Sequence, residues 1–186
     1  MPSFTSLGLF LLGAGAALAN TVTFKSLDQT SRTIKFTPNA GVPEIPSIQV
    51  AGGQEVTVDF PHAWIGNWYS ISEGEQDIPG MLGEVAFNGW NDITFFDVSA
   101  IVNPNDHNGV KKMYPVNDPS PISGCDIFPC NNAYYLWDDV QTKATQEKDI
   151  VCTLGSGSVN TREAVADVVL DEPVFKRDFV MGKWTR

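Results

Sequence analysis

The chain has 186 residues and a formal net charge of −10, because twelve Lys and Arg side chains stand against twenty-two Asp and Glu. So acidic a protein repels phosphate backbones and anionic membrane surfaces, which excludes nucleic acid and membranes as expected partners but not polysaccharides or other proteins. The length suits one domain with its own hydrophobic core.

The first residues of the chain form an uncharged apolar stretch that ends in Ala17, Leu18 and Ala19. Small residues after a short apolar core are typical of a signal-peptidase site, and the core is too short to cross about 30 Å of hydrocarbon comfortably. We therefore predict that residues 1–19 are a signal peptide and that the mature protein begins at Asn20. Its predicted location is extracellular or in the cell wall.

After Asn20, short segments of alternating apolar and polar residues are separated by Gly and Pro, which predicts β-strands. Segments 21–25 and 32–36 are expected to form an antiparallel hairpin, and segment 55–60 follows a turn at Gly52 and Gly53. Three further strands are predicted where aromatic and β-branched residues dominate, at 63–71, 83–88 and 93–99. The pattern predicts a mostly β protein with an antiparallel β-sandwich, whose buried positions include Phe24, Phe36, Val56, Val58, Phe87, Phe95 and Val98.

Two later segments leave helix open as an alternative. Segment 131–140 has helical length and begins with an Asn of the capping type, while segment 160–169 fits either a helix or a strand. A Gly/Ser run at 155–158 is typical of a linker. We therefore expect a sandwich domain over residues 20–155 and an extension over residues 156–186 that is either a docked strand or a flexible arm.

The three cysteines, Cys125, Cys130 and Cys152, predict one disulfide and one remaining thiol in an exported protein. A zinc site is disfavoured, because structural zinc takes four ligands and the only histidines are His62 and His107. The oxygen-rich segment 103–109 lacks the closing bidentate Glu of a calcium loop and is more typical of a turn. No metal and no cofactor is expected.

The middle third of the chain resembles the thaumatin-like (osmotin) family. Segment 79–88 followed by segment 92–102 is similar to the family's run TLAEFTLN…DFYDVSLVDG, and segment 130–135, with Asp138, Asp139 and Cys152, is similar to its later CP-AYSY-DD-TFTC segment. The order of the pieces agrees. The family's disulfide-rich loop domain is largely absent, so the resemblance implies a reduced, cysteine-poor relative of the kind met among small secreted fungal proteins.

The resemblance also implies a site. Glu84 and Asp97 match carboxylates of the family's acidic cleft, which is linked to β-glucan binding, and Asp106 lies near the place of a further Asp, where Val102 stands. The family's cleft Arg has no evident equivalent. Glycoside hydrolysis needs two carboxyl groups at a set separation, so the reduced set favours binding over catalysis. For the cysteines, the resemblance implies a disulfide between Cys125 and Cys152.

An aromatic cluster supplies a second set of candidates for saccharide binding. Trp64, Trp68 and Tyr69 lie close together in the sequence and offer rings on which a sugar could stack, although one member of such a set usually points into the core. Catalytic residues stay undetermined, with Glu84 and Asp97 as the candidates.

These observations predict a secreted, monomeric, thaumatin-like protein that binds cell-wall β-glucan or a related polysaccharide with little or no hydrolysis. Two alternatives stay open. One is a non-enzymatic effector, antigen or inhibitor that acts by contact with another secreted or cell-wall protein, and the other is a weak β-1,3-glucanase.

Overall fold

The computed structural model describes residues 20–156 and the short strands at 177–178 and 183–184. The predicted signal peptide and segment 160–169 lie outside the described residues. The strands between residues 20 and 156 are β1 Asn20–Ser26, β2 Arg32–Pro38, β3 Ile48–Val50, β4 Glu55–Phe60, β5 Ile65–Ser72, β6 Leu82–Ala86, β7 Thr94–Ser99, β8 Val110–Pro115, β9 Ser123–Gly124, β10 Lys143–Thr145 and β11 Asp149–Leu154. Strands β12 (Arg177–Asp178) and β13 (Lys183–Trp184) pair with each other in antiparallel fashion.

The strands up to β11 form two sheets. The five-stranded sheet has the order β4-β1-β11-β8-β9, and the six-stranded sheet has the order β10-β7-β6-β5-β2-β3. All neighbours are antiparallel except β1 and β11, which run parallel. The predicted β-sandwich is therefore confirmed, with one parallel pair inside it. Within the described ranges, no helix has the length and apolar character needed to cross a bilayer.

Alternation along the strands fills the space between the sheets, since every second side chain of a strand points to the same face. Of the positions predicted to be buried, Phe24, Phe87, Phe95 and Val98 are buried, whereas Phe36, Val56 and Val58 are partly buried and pack against the core. The rings of Phe24, Phe36, Phe60, Trp64 and Trp68 contact one another mostly edge to face in its centre.

The predicted hairpin of β1 and β2 is wrong, because the two strands lie in different sheets. The connection is a corner held by Asp28, whose carboxylate accepts hydrogen bonds from the backbone N–H of Thr30 at 2.9 Å and from Arg32 Nη1 and Nη2 at 2.8 Å each. Arg32 Nε also donates to the carbonyl of Asn108 at 2.9 Å. These bonds lead the chain from one sheet to the other instead of back along the first.

The predicted Cys125–Cys152 disulfide is also wrong, because Cys125 bonds to Cys130 and Cys152 is a free, buried thiol. Cys152 lies on β11 inside the five-stranded sheet and points into the core, where Trp68 Nε1 donates to its Sγ at 3.4 Å. Cys125 follows β9 at the edge of that sheet, so its sulfur is reached by the short loop that carries Cys130 and not by the core-facing Cys152.

We expect the Cys152 thiol to be unreactive in the folded protein. Burial raises the pKa of this thiol to about 12, so almost no thiolate exists at neutral pH, and the surrounding core blocks access. Labelling the oxidised protein with an alkylating reagent at pH 8 should modify no cysteine under native conditions and one cysteine in denaturant. Modification of Cys152 at the rate of a small free thiol, without denaturant, would contradict this expectation.

Candidate functional site

The two carboxylates that the sequence singled out are direct cross-strand neighbours. Glu84 on β6 is paired in register with Asp97 on β7, and Asn67 on β5 is the partner of Glu84 on its other side. Residues opposite each other in an antiparallel pair have Cβ atoms about 5 Å apart, so the two carboxyl groups lie side by side on the outer face of the six-stranded sheet. Glu84 is only 5% exposed and Asp97 only 1%, so neither carboxylate faces an open groove.

One carboxylate of this pair, that of Asp97, is in contact with the segment between Tyr134 and Thr142. Thr142 Oγ donates to Asp97 Oδ2 at 3.4 Å, and the hydroxyl oxygens of Thr142 and Tyr134 lie 2.8 Å apart. Tyr134 is itself fixed to β7, since its N–H donates to the carbonyl of Val98 and its carbonyl accepts from the N–H of Ala100. A polar cluster buried in this way has the contacts of a structural unit.

The same backbone bonds explain why segment 131–140 is not a helix. Tyr134 forms a parallel bridge with Ser99, which takes its backbone groups out of any helical pattern. Asp139 Oδ2 then accepts from the N–H groups of both Tyr135 and Leu136 at 2.8 Å, which closes a tight turn.

The proposed aromatic stacking platform is wrong for two of its three members. Trp64 and Trp68 are completely buried, because both point from their segments into the space between the sheets. Tyr69 is on the opposite face of β5 and is partly exposed, and its hydroxyl donates to Asp77 Oδ1 at 2.8 Å. A ring without an exposed face cannot stack on a sugar, so no platform forms from this trio.

Asp106, the third carboxylate predicted to bind saccharide, is occupied by the backbone. Its carboxylate accepts from the N–H groups of Met81, Asn108 and Gly109 at 2.8, 2.9 and 2.8 Å. These bonds join the loop before β8 to the start of β6. The structure thus brings Glu84 and Asp97 together but puts Asp106 in a separate, structural position.

One end of the sandwich carries exposed apolar and acidic residues that the sequence did not single out. Pairing in both sheets places the ends of β1, β5, β7, β9 and β11 beside the starts of β2, β6 and β8, and we call this the exit end because the chain leaves β11 there. Gly155 donates to the carbonyl of Gly109, and the N–H of Ser156 donates to Asp28 Oδ2 at 2.9 Å.

Large apolar side chains lie exposed at this exit end. Segments 99–102, 124–130 and 132–137 are bonded to one another, through the Ser99–Tyr134 bridge, the bond from Gly124 N–H to the Asn132 carbonyl and the bond from Cys130 N–H to the Tyr135 hydroxyl. They carry the residues that we call the exit-end patch: Ile101, Val102, Ile127, Leu136 and Trp137. Trp137 has 80% of its surface exposed.

The charge around the exit-end patch is predominantly acidic. Asp126 and Asp138 are exposed beside Ile127 and Trp137. The cations nearby are already engaged: Arg32 with Asp28, Lys112 with Asp126 at 2.8 Å, and Lys111 buried over the Phe128 ring. Burial lowers the pKa of Lys111, and hydrogen bonds from Arg32 hold the pKa of Asp28 well below its usual range.

Sequence reasoning missed this surface for a specific reason. The sequence leaves a helix open for the segment that contains Leu136 and Trp137, and it predicts no element for the segment that contains Ile127. The signal that was present in the sequence is the run from Leu136 to Asp139, where two large apolar residues precede two acidic ones. That composition suits an exposed turn as well as a helix.

Comparison with known proteins places the chain beside two fungal proteins, while no family model matches it. The crystal structure of the protein elicitor MoHrip2 from Magnaporthe oryzae aligns with a TM-score of 0.51 and 14% sequence identity, covering 74% of this chain and 99% of that one, which shows a shared fold. The antigenic protein SchS21 of Stachybotrys chartarum is 55% identical over 137 residues, which is 74% of this chain and 95% of the relative. At that identity over nearly the whole relative, the chain belongs to the same family as SchS21.

Proposed function

We propose that this protein is a secreted, non-enzymatic protein of the antigen or elicitor type, which acts by contact with another protein through the exit-end patch. The observation that carries the proposal is the collection of five exposed large apolar residues at one end of the sandwich. Contiguous apolar surface on a single-domain protein commonly marks an interaction site. The partner should combine apolar with basic side chains, because acidic residues surround the patch.

Two further observations support the same conclusion. The relative SchS21 is named an antigenic protein and the structural neighbour MoHrip2 a protein elicitor, and both are descriptions of proteins known through recognition by others. The burial of Glu84 and Asp97 favours a non-enzymatic role, since a general acid and base must reach the substrate. Secretion is supported by the signal-like pattern of residues 1–19.

Trp137 is expected to be the main contact residue, because Trp is enriched among the residues that dominate binding energy at interfaces. Replacing it (Trp137→Ser) should weaken the contact by about 2 kcal/mol or more, which is about 30-fold. We would apply the purified protein to cultured cells that respond to a protein elicitor and measure the concentration that gives half of the maximal response. Trp137→Ser should raise that concentration about 30-fold.

The matched control is Trp90→Ser. Trp90 is also exposed, but it lies in the short 3-10 helix Trp90–Asp92 between β6 and β7, which is the opposite end of the sandwich. The two variants lose the same side chain, so a general effect of losing an exposed Trp would appear in both. Equal potency of Trp137→Ser and wild type would reject the exit-end patch as the contact surface.

Binding of a neutral β-glucan is the second candidate, favoured by one observation: the Trp137 ring is exposed enough to stack on a sugar. Membership in the thaumatin-like family would support it, and that membership is a proposal based on the order of the motif segments and on the adjacency of Glu84 and Asp97. Co-sedimentation of the same two Trp variants with insoluble β-1,3-glucan separates the candidates. Retention of wild type and Trp90→Ser, but not of Trp137→Ser, would favour the polysaccharide.

A further inference from the structure

The exit-end patch lies where the chain leaves the sandwich and is surrounded by acidic residues. The last segment of the chain, 174–186, is basic. We propose that segment 174–186 of the same chain docks on the exit-end patch and covers it. The occupant is thus part of this protein, and the proposal rests on the reach of the chain, on charge and on apolar composition.

Reach comes first. The chain leaves β11 at Leu154 and is tied to the exit end by the bond from Ser156 N–H to Asp28. Position 174 lies eighteen positions beyond position 156, which is about 60 Å of extended chain at about 3.3 Å per residue. A domain of about 140 residues has a radius of gyration of only about 14 Å, so the segment reaches the patch without strain.

Segment 174–186 and the surface around the exit-end patch carry opposite charges. Segment 174–186 contains four basic residues, Lys176, Arg177, Lys183 and Arg186, against one acidic residue, Asp178. The whole stretch after Ser156 has five basic and five acidic side chains and residues 1–19 have none, so the net charge of −10 belongs to residues 20–156. A basic segment tethered beside an acidic surface is attracted to it, and the cations native to that surface are already paired or buried.

Segment 174–186 is also rich in apolar residues. The segment carries the apolar residues Val174, Phe175, Phe179, Val180, Met181 and Trp184. Strands β12 and β13 pair within it, with Arg177 opposite Trp184 and Asp178 opposite Lys183, so the segment has its own hairpin register. An isolated two-stranded hairpin is marginally stable in water and gains stability by packing an apolar face on a larger surface. The exit-end patch offers that surface.

Docking would regulate the surface to which we assign the function, and in that respect the inference rests on the proposed function. The covered patch would become available to a partner only after segment 174–186 is displaced or removed. The contact between segment 174–186 and the exit-end patch does not depend on any partner. It can therefore be tested on the purified chain alone.

The test is zero-length cross-linking of the full mature chain with a carbodiimide, which joins Lys amines to carboxylates that touch them. An equal mixture of unlabelled and ¹⁵N-labelled protein distinguishes links within one chain from links between chains. We expect links from Lys176 or Lys183 to Asp126 or Asp138, both partners carrying the same label. Mixed-label links, which make up about half of the links formed between chains in an equal mixture, or the absence of links to exit-end carboxylates, would overturn the proposal.

A charge-reversed variant gives the second measurement. Lys183→Glu should speed amide hydrogen exchange in segments 100–103 and 134–139 about fivefold, the change that about 1 kcal/mol of a surface charge interaction gives. Arg162→Glu makes the same charge change outside segment 174–186 and should leave those rates unchanged. Equal rates in Lys183→Glu and wild type would contradict docking. Failure of the cell-response assay would not contradict docking, because hydrogen exchange and cross-linking involve no partner.

Discussion

Replacing Asp28 by Ala is expected to lower the free energy of unfolding by about 3–5 kcal/mol, the cost of removing one partner of a buried ion pair. The guanidinium of Arg32 is 1% exposed and would be left in the interior without its counter-charge. The substitution also frees the N–H groups of Thr30 and Ser156, so the corner between β1 and β2 would lose its fixed shape. Chemical denaturation followed by Trp fluorescence measures the change.

The matched control is Asp126→Ala, which removes the carboxylate of the exposed pair with Lys112. Surface pairs contribute about 0–1 kcal/mol, so its unfolding free energy should stay close to that of the wild type. A loss for Asp28→Ala no larger than that for Asp126→Ala would show that the corner does not depend on the Arg32 interaction.

The interaction between Asp28 and Arg32 should make the protein less stable as the pH falls. Hydrogen bonds from Arg32 hold the pKa of Asp28 well below its usual range, near 3.9 in unfolded chains, so the folded state favours the ionised carboxylate. The resulting stabilisation is complete above the unfolded pKa and is lost as the pH falls below it. Between pH 5 and pH 2, wild type should therefore lose more stability than Asp28→Ala does.

Replacing Trp68 by Ala is the second change with a large expected effect, about 3–5 kcal/mol of unfolding free energy. The ring lies at the centre of the core, with its centroid 5.4 Å from that of Phe24 and 5.8 Å from that of Phe60, and no part of it is exposed. Gly83 leaves the space that the indole occupies, because a Cβ at that position would stand 2.5 Å from Trp68 Nε1. Removing the ring creates a cavity that the surrounding sheets can close only in part.

Trp90→Ala is the comparison for the Trp68 measurement. The substitution removes the same side chain from the surface at the end of the sandwich opposite the exit-end patch, where little packing is lost, so its unfolding free energy should be within about 0.5 kcal/mol of wild type. Similar losses for the two variants would mean that the loss in Trp68→Ala does not come from a cavity in the core.

The strands were predictable because alternation depends only on neighbouring residues. Val22, Phe24 and Lys25 reveal a strand with one buried face wherever that strand pairs. The partners were not predictable in the same way. The connection between β1 and β2 has the length of a hairpin loop, and only the bonds from Arg32 to Asp28 and to Asn108, 76 residues further along, turn it into a corner between sheets.

The candidate site was predictable in part. The motif that contains Glu84 and Asp97 correctly indicated neighbouring strands, and the structure pairs the two residues in register. The contact that helps to bury Asp97 was not predictable, because Thr142 comes from a segment 45 residues away that shows no strand pattern. Spacing in the sequence likewise left open which of Trp64, Trp68 and Tyr69 point inward, and this is decided by which face of β5 the second sheet covers.

The parallel pairing of β1 with β11 determines when this sheet can be completed. Val22 is the register partner of Ile150. Strand β1 can therefore pair with β11 only after the 128 residues that follow Val22 have been synthesised. Contacts of such large sequence separation are slow to form, because the loop between them must be closed first. During synthesis, the five-stranded sheet therefore stays incomplete until β11 has been made.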